Sequence, residues 1–547
     1  MTEHSLFRFA IPAALFACAV AVIAAAWWWM GQPVAMPPSP LAQGEKLYCV
    51  SYAPFRGTQS PLSPPIEISP GQIDDDLARL SKITDCVRTY AVEFGLDQIA
   101  GIAKRHGLKV LQGIWIGGNA EKNKVEIDTA LRLARQFPDT IGALIVGNEV
   151  LLRGEMTAQN LAATIRSVKS RTNVPVTYAD VWEFWLRSRD VYDAVDFVTI
   201  HILPYWEDLP ISARDSVSHL DSVRKKVAAA FPNKDILIGE TGFPSAGRMR
   251  EGAEPSPSNQ AKVIHDIIAL AKRDKFRVNV IEAFDQPWKR QLEGTVGGHW
   301  GLFDAGNRAF KFAWGEPLSD HPHWRQQIAG GVLMAALVFG AALLGRIWLT
   351  EPMPVPASRW VGIAVIAGVA GIFVPLSAEK LPLESLGIAG WVRGGAMFVL
   401  ALACPLAVAA AITRERSAPS FGQVLTRDPR TFDCRLRPVL GLLLVAMTLA
   451  AVLVALGLVF DPRYKDFPYA PLTAAIVPFV VLALVSPPAD GPRALAEHVA
   501  AGTLALSLIY IAYNESVANW QSLWLCGLLA LLAFRLQTAR DAQDSKS

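Results

Sequence analysis

The sequence predicts an α/β chain: a (β/α)8 TIM barrel outside the cytoplasm, an N-terminal transmembrane anchor, and an all-α C-terminal membrane domain of about seven helices. Three observations predict it. Strand-length apolar runs alternate with amphipathic segments across residues 46–320. Long apolar runs flank that region, and roughly 18 or more such residues suffice to cross a bilayer. Two of the strand-length runs end in glutamate: Val-Gly-Asn-Glu at Val146–Glu149 and Ile-Gly-Glu-Thr-Gly-Phe-Pro-Ser at Ile238–Ser245.

A chain of 547 residues exceeds one compact core. Hydrophobic residues make up 52% and charged ones only 18%, so much of the chain is built for an apolar surrounding. The net charge of +3 comes without a dense Lys/Arg tract, which argues against nucleic acid as a partner. His321 and His323 form the closest histidine pair, with no further ligands at recognisable spacing, so neither a metal nor a cofactor is expected.

The first apolar run, Phe9–Met30, follows Arg8 and outlasts the roughly 7–15-residue core of a signal peptide. It ends in Trp27-Trp28-Trp29, residues suited to a headgroup interface. Residues 1–30 therefore read as an uncleaved anchor; a cleavable signal ending near Ala35 is the other reading. A linker is expected over 31–45, the barrel over 46–320 and a second linker over 321–327.

Within the barrel, strands are expected near 46–53, 86–91, 108–115, 142–148, 174–180, 196–203, 235–240 and 279–285. Helical patterns fall between them at Ile73–Lys82, Leu96–His106, Lys122–Gln136, Thr157–Ser170, Ala213–Ala230 and Ser258–Arg273. Eight β–α repeats over roughly 270 residues match the size of a (β/α)8 barrel.

Seven further spans are expected within 328–536, at 328–349, 359–377, 393–412, 438–460, 470–486, 495–513 and 518–535. The span at 470–486 is the weakest, being short and holding two prolines. Six arginines (414, 416, 427, 430, 435 and 437) crowd the loop at 413–437, which the positive-inside tendency makes cytoplasmic. Eight spans then put both termini, the tail 537–547 and Arg346, Arg359, Arg493, Arg535 and Arg540 inside, and residues 31–327 outside. Cys18, Cys404 and Cys526 lie in apolar spans and Cys434 in the cytoplasmic loop. Cys49 and Cys86 face the oxidising side on neighbouring strands, as a disulfide or as two small core residues.

Active sites of such barrels form at the C-terminal strand ends. Glu149 ends the fourth strand and Glu240 the seventh. Tyr52, Arg88, Tyr90, Trp115, Asn148, Tyr178, His201, Tyr205, Glu282, Asp285 and Trp288 stand at other strand ends. Hydroxyl-binding polar groups and aromatic faces there suit a sugar cleft, although tyrosine and tryptophan at such places more often pack than bind. Asp180, Glu183 and Glu207 are expected to be solvated, and Asp74-Asp75-Asp76 to open a helix and complement its dipole.

With Val-Arg-Thr-Tyr at 87–90 and Glu-Ala-Phe-Asp-Gln-Pro-Trp-Lys at 282–289, these motifs resemble glycoside hydrolase family 17, the β-1,3-glucanases and β-1,3-glucanosyltransferases, over about residues 47–315. The resemblance implies Glu149 as general acid/base, Glu240 as nucleophile and Asn148 as a ligand of the sugar 2-hydroxyl. Phe243 stands where many plant relatives have tryptophan, and Gln286 replaces an acidic residue of fungal ones. The membrane layout resembles bacterial inner-membrane members, which implies a periplasmic catalytic domain.

The expected activity is a retaining double displacement on β-1,3-glucan or laminari-oligosaccharides, with carboxyls about 5–5.5 Å apart. Glucosyl or glucanosyl transfer is one outcome and periplasmic hydrolysis the alternative. A reading of another class makes the barrel a glycan-binding receptor on a transport or scaffold module. No nucleotide-sugar site is apparent in the sequence, so the expected partners are the bilayer and a separate membrane glucan synthase.

Overall fold

The computed structural model describes residues 3–347, 355–426, 435–486 and 493–537. Arg427, Arg430, Cys434, Arg540 and the tail beyond Gln537 lie outside it. The chain divides into two compact units, Val34–Leu318 and Met1–Pro33 with Ser319–Ser547.

The first unit is a closed barrel of eight parallel strands in chain order. They are β1 Cys49–Ser51, β2 Cys86–Arg88, β3 Lys109–Ile114, β4 Ile141–Asn148, β5 Val176–Val181, β6 Val198–His201, β7 Ile236–Thr241 and β8 Arg277–Val280. Pairing of Cys49 with Asn279 and Val50 with Val280 closes the ring. Alternation sends Val50, Val87, Val110 and Leu144 into the layer shared with the helices. Leu111, Ala143, Ile145, Ala179 and Leu237 make a smaller inner cluster with Cys49 and Cys86. Those two cysteines are bonded to each other, Cα–Cα 4.4 Å, which selects the disulfide from the two sequence readings.

The helices start where the sequence supplies caps. Ser69 accepts from the Gln72 N–H, Asn119 from Lys122, Thr157 from Asn160 and Ser256 from Asn259. Each satisfies a backbone donor that the first helical turn leaves open.

Three expectations need correction. The eighth strand is earlier and shorter than 279–285: beyond Val280 the partners alternate, the Ile281 and Ala283 N–H groups donating to Thr241 O of β7 and Ser51 O of β1, but the Glu282 N–H to Trp300 O and the Asp285 N–H to Phe303 O. Asp74–Asp76 do not open a helix; that helix is Pro70–Leu80, and they lie in its middle. Asp76 is fully buried and binds Arg56 at 2.5 Å, Arg308 and the Tyr52 hydroxyl. Finally, part of the expected 31–45 linker is integral to the barrel unit, since Val34 pairs antiparallel with Leu318 and Lys272 holds Glu45 at 2.5 Å.

The second unit is helical. Its long helices are Glu3–Met30, Trp324–Ile347, Ala357–Glu384, Gly387–Thr413, Leu436–Phe460, Tyr469–Val485, Leu495–Glu515 and Trp520–Gln537. One helix lies on each expected span, although the helix on 470–486 ends at Val485 and that on 518–535 starts at Trp520, and Trp324 starts its helix inside the expected 321–327 linker. Among the described residues, six are long and apolar enough to cross a membrane. Tyr469–Val485 has only 17 residues. Trp520–Gln537 is not among the six; Gln521, Ser522, Arg535 and Gln537 dilute its apolar run. Gly331 and Gly371 let two helices touch, since a Cβ on Gly331 would lie 2.2 Å from Gly371 O.

Candidate active site

Four strand ends converge on one buried polar cluster. β2 contributes Arg88, β4 Asn148 with Glu149 just beyond it, β6 His201 and β7 Glu240. The β6–β7 register sets His201 beside Glu240. Gly239 makes room for this approach: a Cβ there would lie 2.4 Å from Thr199 Cγ2 and 3.2 Å from His201 Cδ2. At the end of β4 the chain turns through Gly147 (φ +89°) and Glu149 (φ +53°). The second is a conformation that L-residues rarely adopt.

His201 lies between the carboxylates, with Nδ1 3.1 Å from Glu149 Oε1 and Nε2 3.8 Å from Glu240 Oε1. Ligating atoms of Glu149, His201 and Glu240 all lie within 4.8 Å of one another, so these three side chains could also hold a cation. Arg88 already brings positive charge to Glu240. It donates at 2.5 Å to Glu240 Oε1 and at 3.0 Å to Gly239 O, and binds Asn148 Oδ1 through its other terminal nitrogen. The Tyr90 hydroxyl donates to Glu240 Oε1 at 2.9 Å.

The two glutamates therefore sit in unlike surroundings. Glu149 keeps 24% of its side chain exposed and Glu240 only 6%. Burial pushes the Glu240 carboxyl up, but His201, Arg88 and Lys289, with the Tyr90 hydrogen bond, outweigh it and bring it down to about 2. Glu240 is held as a carboxylate.

Beyond the strand ends, Lys289 Nζ donates to both oxygens of Glu282 at 2.8 and 2.9 Å. Burial still pushes Glu282 up to about 7 against that lysine. Burial also raises Glu293, and the negative fields of Glu149 and Glu240 add to it. Asp285 accepts from Lys311 at 2.7 Å and from the Gly301 N–H at 2.8 Å, so it braces the segment after β8.

Several expected ligands are supports of the cleft. Tyr52, Tyr178 and Tyr205 are buried, with their hydroxyls bound to Asp76, Asp180 and Arg248 O. Asp180 is not solvated but fully buried within β5, and Glu207 is mostly covered and pairs with His219 at 3.0 Å. Glu183 is half-buried. Gln286 is buried and donates to Ala53 O. Among the tryptophans, Trp185 and Trp300 are core, whereas Trp115 is 40% exposed and carries the Arg153 guanidinium 4.2 Å over its ring. Trp288 is half-buried and donates to Gln286 Oε1.

Sequence reasoning missed Lys289, Glu293, Arg153 and Glu126. Glu126 accepts from the Val92, Glu93 and Trp115 N–H groups and so joins the loops after β2 and β3. Only Lys289 stood inside a motif already singled out.

Two carboxylates converging at the ends of β4 and β7 of a (β/α)8 barrel are the arrangement that cleavage of a glycosidic bond requires. Residues 49–301 match the family model described as BtgE/BtgC glycoside hydrolase domain. The chain is 28% identical over 255 residues to a glucan 1,3-beta-glucosidase of Candida albicans, covering 42% of this chain and 82% of that protein. It is 27% identical over 260 residues to the glucan 1,3-beta-glucosidase of Saccharomyces cerevisiae, covering 43% and 82%. A solved glycoside hydrolase family 17 beta-1,3-glucanosyltransferase from Rhizomucor miehei aligns at 26% identity and a TM-score of 0.43, over 49% of this chain and 97% of that one. The resemblance read from the motifs is borne out over the barrel.

Proposed function

We propose that the protein is a membrane-anchored retaining transglycosylase that remodels β-1,3-glucan, with Glu240 as nucleophile and Glu149 as general acid/base. The observation that carries this reading is that one oxygen of Glu149 and one of Glu240 lie within 4.8 Å of each other, with His201 between them. Retaining enzymes keep their carboxyls about 5–5.5 Å apart, and inverting ones leave roughly 6.5–9.5 Å for a water.

Arg88 and Tyr90 engage Glu240 Oε1, so Oε2 attacks the anomeric carbon. The glycosidic C–O bond breaks as Glu149 gives its proton to the leaving oxygen. In the second half Glu149 takes a proton from the acceptor hydroxyl, whose oxygen displaces Glu240. Asn148, oriented by Arg88, binds the sugar 2-hydroxyl.

Six helices apolar enough to span a bilayer support membrane anchoring. The arginines at Arg414, Arg416, Arg435 and Arg437 support a cytoplasmic loop there, and hence a barrel in the periplasm of a bacterial inner membrane. Such a site lies away from nucleotide sugars. It works on glucan already made, and a separate synthase supplies that glucan. Anchoring favours transfer over scavenging hydrolysis.

The test is the product profile of the full-length protein on a laminari-oligosaccharide series. Products longer than the substrate are expected. Only shorter products would make it a hydrolase, and binding without turnover would make the barrel a receptor.

A further inference from the structure

Asp180 is a fully buried carboxylate close to the site that the proposed chemistry does not use. It shares one face of β5 with Tyr178, two residues earlier. The Tyr178 hydroxyl donates to Asp180 Oδ2 and accepts from the Leu151 N–H at 3.0 Å. The Leu152 N–H points to the same Asp180 oxygen at 3.4 Å, and Asp180 Oδ1 accepts from the Val181 N–H at 2.7 Å.

Leu151 and Leu152 belong to the single turn that follows Glu149, closed by the Arg153 N–H to Glu149 O at 2.8 Å. Glu149 begins that turn in the left-handed region. Its own N–H is fixed to Ala179 O at 2.8 Å, again on β5. A left-handed non-glycine residue persists only where its surroundings hold it. Here the holding comes from Ala179, Tyr178 and Asp180 of the neighbouring strand, and from Arg153, which donates twice to Asn148 O.

We infer that Tyr178 and Asp180 are positioning residues that clamp the turn after Glu149 and so aim its carboxyl at the leaving-group oxygen. Burial raises Asp180 to about 6, which suits a group placed for hydrogen bonding within the protein. A phenylalanine at 178 would fill the same space beside Trp185 but leave the Leu151 N–H and Asp180 Oδ2 without their common partner. The inference rests on the acid/base role proposed for Glu149.

The experiment compares two donors on the full-length protein. A laminari-oligosaccharide has a poor leaving group that needs a proton; a 2,4-dinitrophenyl β-laminaribioside does not. Active sites are counted by trapping with a 2-deoxy-2-fluoro glycosyl donor, so a poorly folding variant is still read per competent site. In Tyr178→Phe and Asp180→Asn, kcat on the oligosaccharide should fall by about 100-fold with KM little changed. The first-turnover release of dinitrophenolate should stay within about threefold of the parent, because that step needs no proton from Glu149. The double variant should be no worse than the worse single one, since the pair acts as a unit. Equal losses on both donors, or no loss on either, overturn the clamp. Glu149→Gln separates the two readings: if it fails to show the same split, the acid/base assignment falls; if it shows the split and the β5 variants do not, only the clamp falls.

Discussion

Arg88 and Glu240, from strands β2 and β7, meet at 2.5 Å with both side chains almost completely buried. A paired buried charge is costly to strand. The same guanidinium reaches Gly239 O and Asn148, so it ties β7 to the end of β4. Lysine offers a single point charge and cannot reproduce that fork. Arg88→Lys should lower kcat/KM by about 10²- to 10³-fold on laminari-oligosaccharides in a steady-state assay.

The pH dependence of the same pair has a definite sign. Glu240 is depressed to about 2, so its stabilising interaction is present above the ordinary glutamate value and is lost as pH falls through 2. In the parent, Glu240 therefore sets no limb of the activity profile in the ordinary assay range. In Arg88→Met the cation goes and burial remains, which raises the carboxyl. The acid limb set by Glu240 should rise from below the assay range by at least about one unit and so enter the kcat/KM profile followed across roughly pH 3–8. An unmoved limb would mean that His201 and Lys289 suffice to hold Glu240 ionised.

Glu240→Gln and Glu149→Gln should fail in different ways. Without Glu240, the proposed nucleophile, all turnover should be lost, by about 10⁴-fold or more, on any donor. Without the acid, first turnover on a dinitrophenyl donor should survive, and azide should restore steady turnover by replacing the acceptor that Glu149 can no longer deprotonate. Mass spectrometry of the trapped glycosyl-enzyme locates the nucleophile; a label on any residue but Glu240 sinks the assignment.

The barrel and its two glutamates were readable because their signals are local. Apolar runs of strand length with glycine before the glutamate mark β4 and β7 without knowledge of any partner. The errors share a cause in non-local pairing. Asp76 looked like a helix-opening charge because its partner Arg308 lies 232 residues away. Asp180 looked solvated because its second contact, Leu152, belongs to a different strand's loop. The eighth strand ran too long on paper because Ile281 and Ala283 still bond to Thr241 O and Ser51 O of the barrel, while Glu282 and Asp285 between and after them turn to the distant Trp300 and Phe303. Exposure of tryptophan is equally invisible in sequence: Trp115 and Trp185 both follow strands, yet one faces solvent and the other donates to Thr199 O in the core.

The Cys49–Cys86 bond joins β1 to β2 across a sequence separation of 37. A loop of that length gives about 4 kcal/mol in the chain-entropy treatment. Cys49→Ala/Cys86→Ala should lower the urea midpoint of the barrel unit, followed by tryptophan fluorescence, with little change in the folded spectrum. Adding reductant to the parent under denaturing conditions, then refolding, should reproduce the same lower midpoint. Equal midpoints for parent and variant would show that packing among Leu111, Ala143 and Leu237 carries this layer alone.

Trp115 stands just beyond β3, 40% exposed, its backbone N–H donating to Glu126 Oε2 at 3.0 Å and one face of its ring carrying Arg153. Arg153 also donates to Asn148 O, so the indole is held close to the residue proposed to bind the 2-hydroxyl. A rigid, open aromatic face beside Asn148 suits a sugar ring one or more units from the cleaved bond. Covering such a face gives about 1–2 kcal/mol, or roughly a tenfold change in affinity. Trp115→Ala should therefore raise KM about tenfold for long laminari-oligosaccharides, with kcat nearly constant and little effect on the shortest donor turned over. That length dependence is the decisive readout. A uniform loss of kcat at every length would mean that the indole acts by bracing Arg153 and the β4 turn, and its exposed face would then have no part in binding.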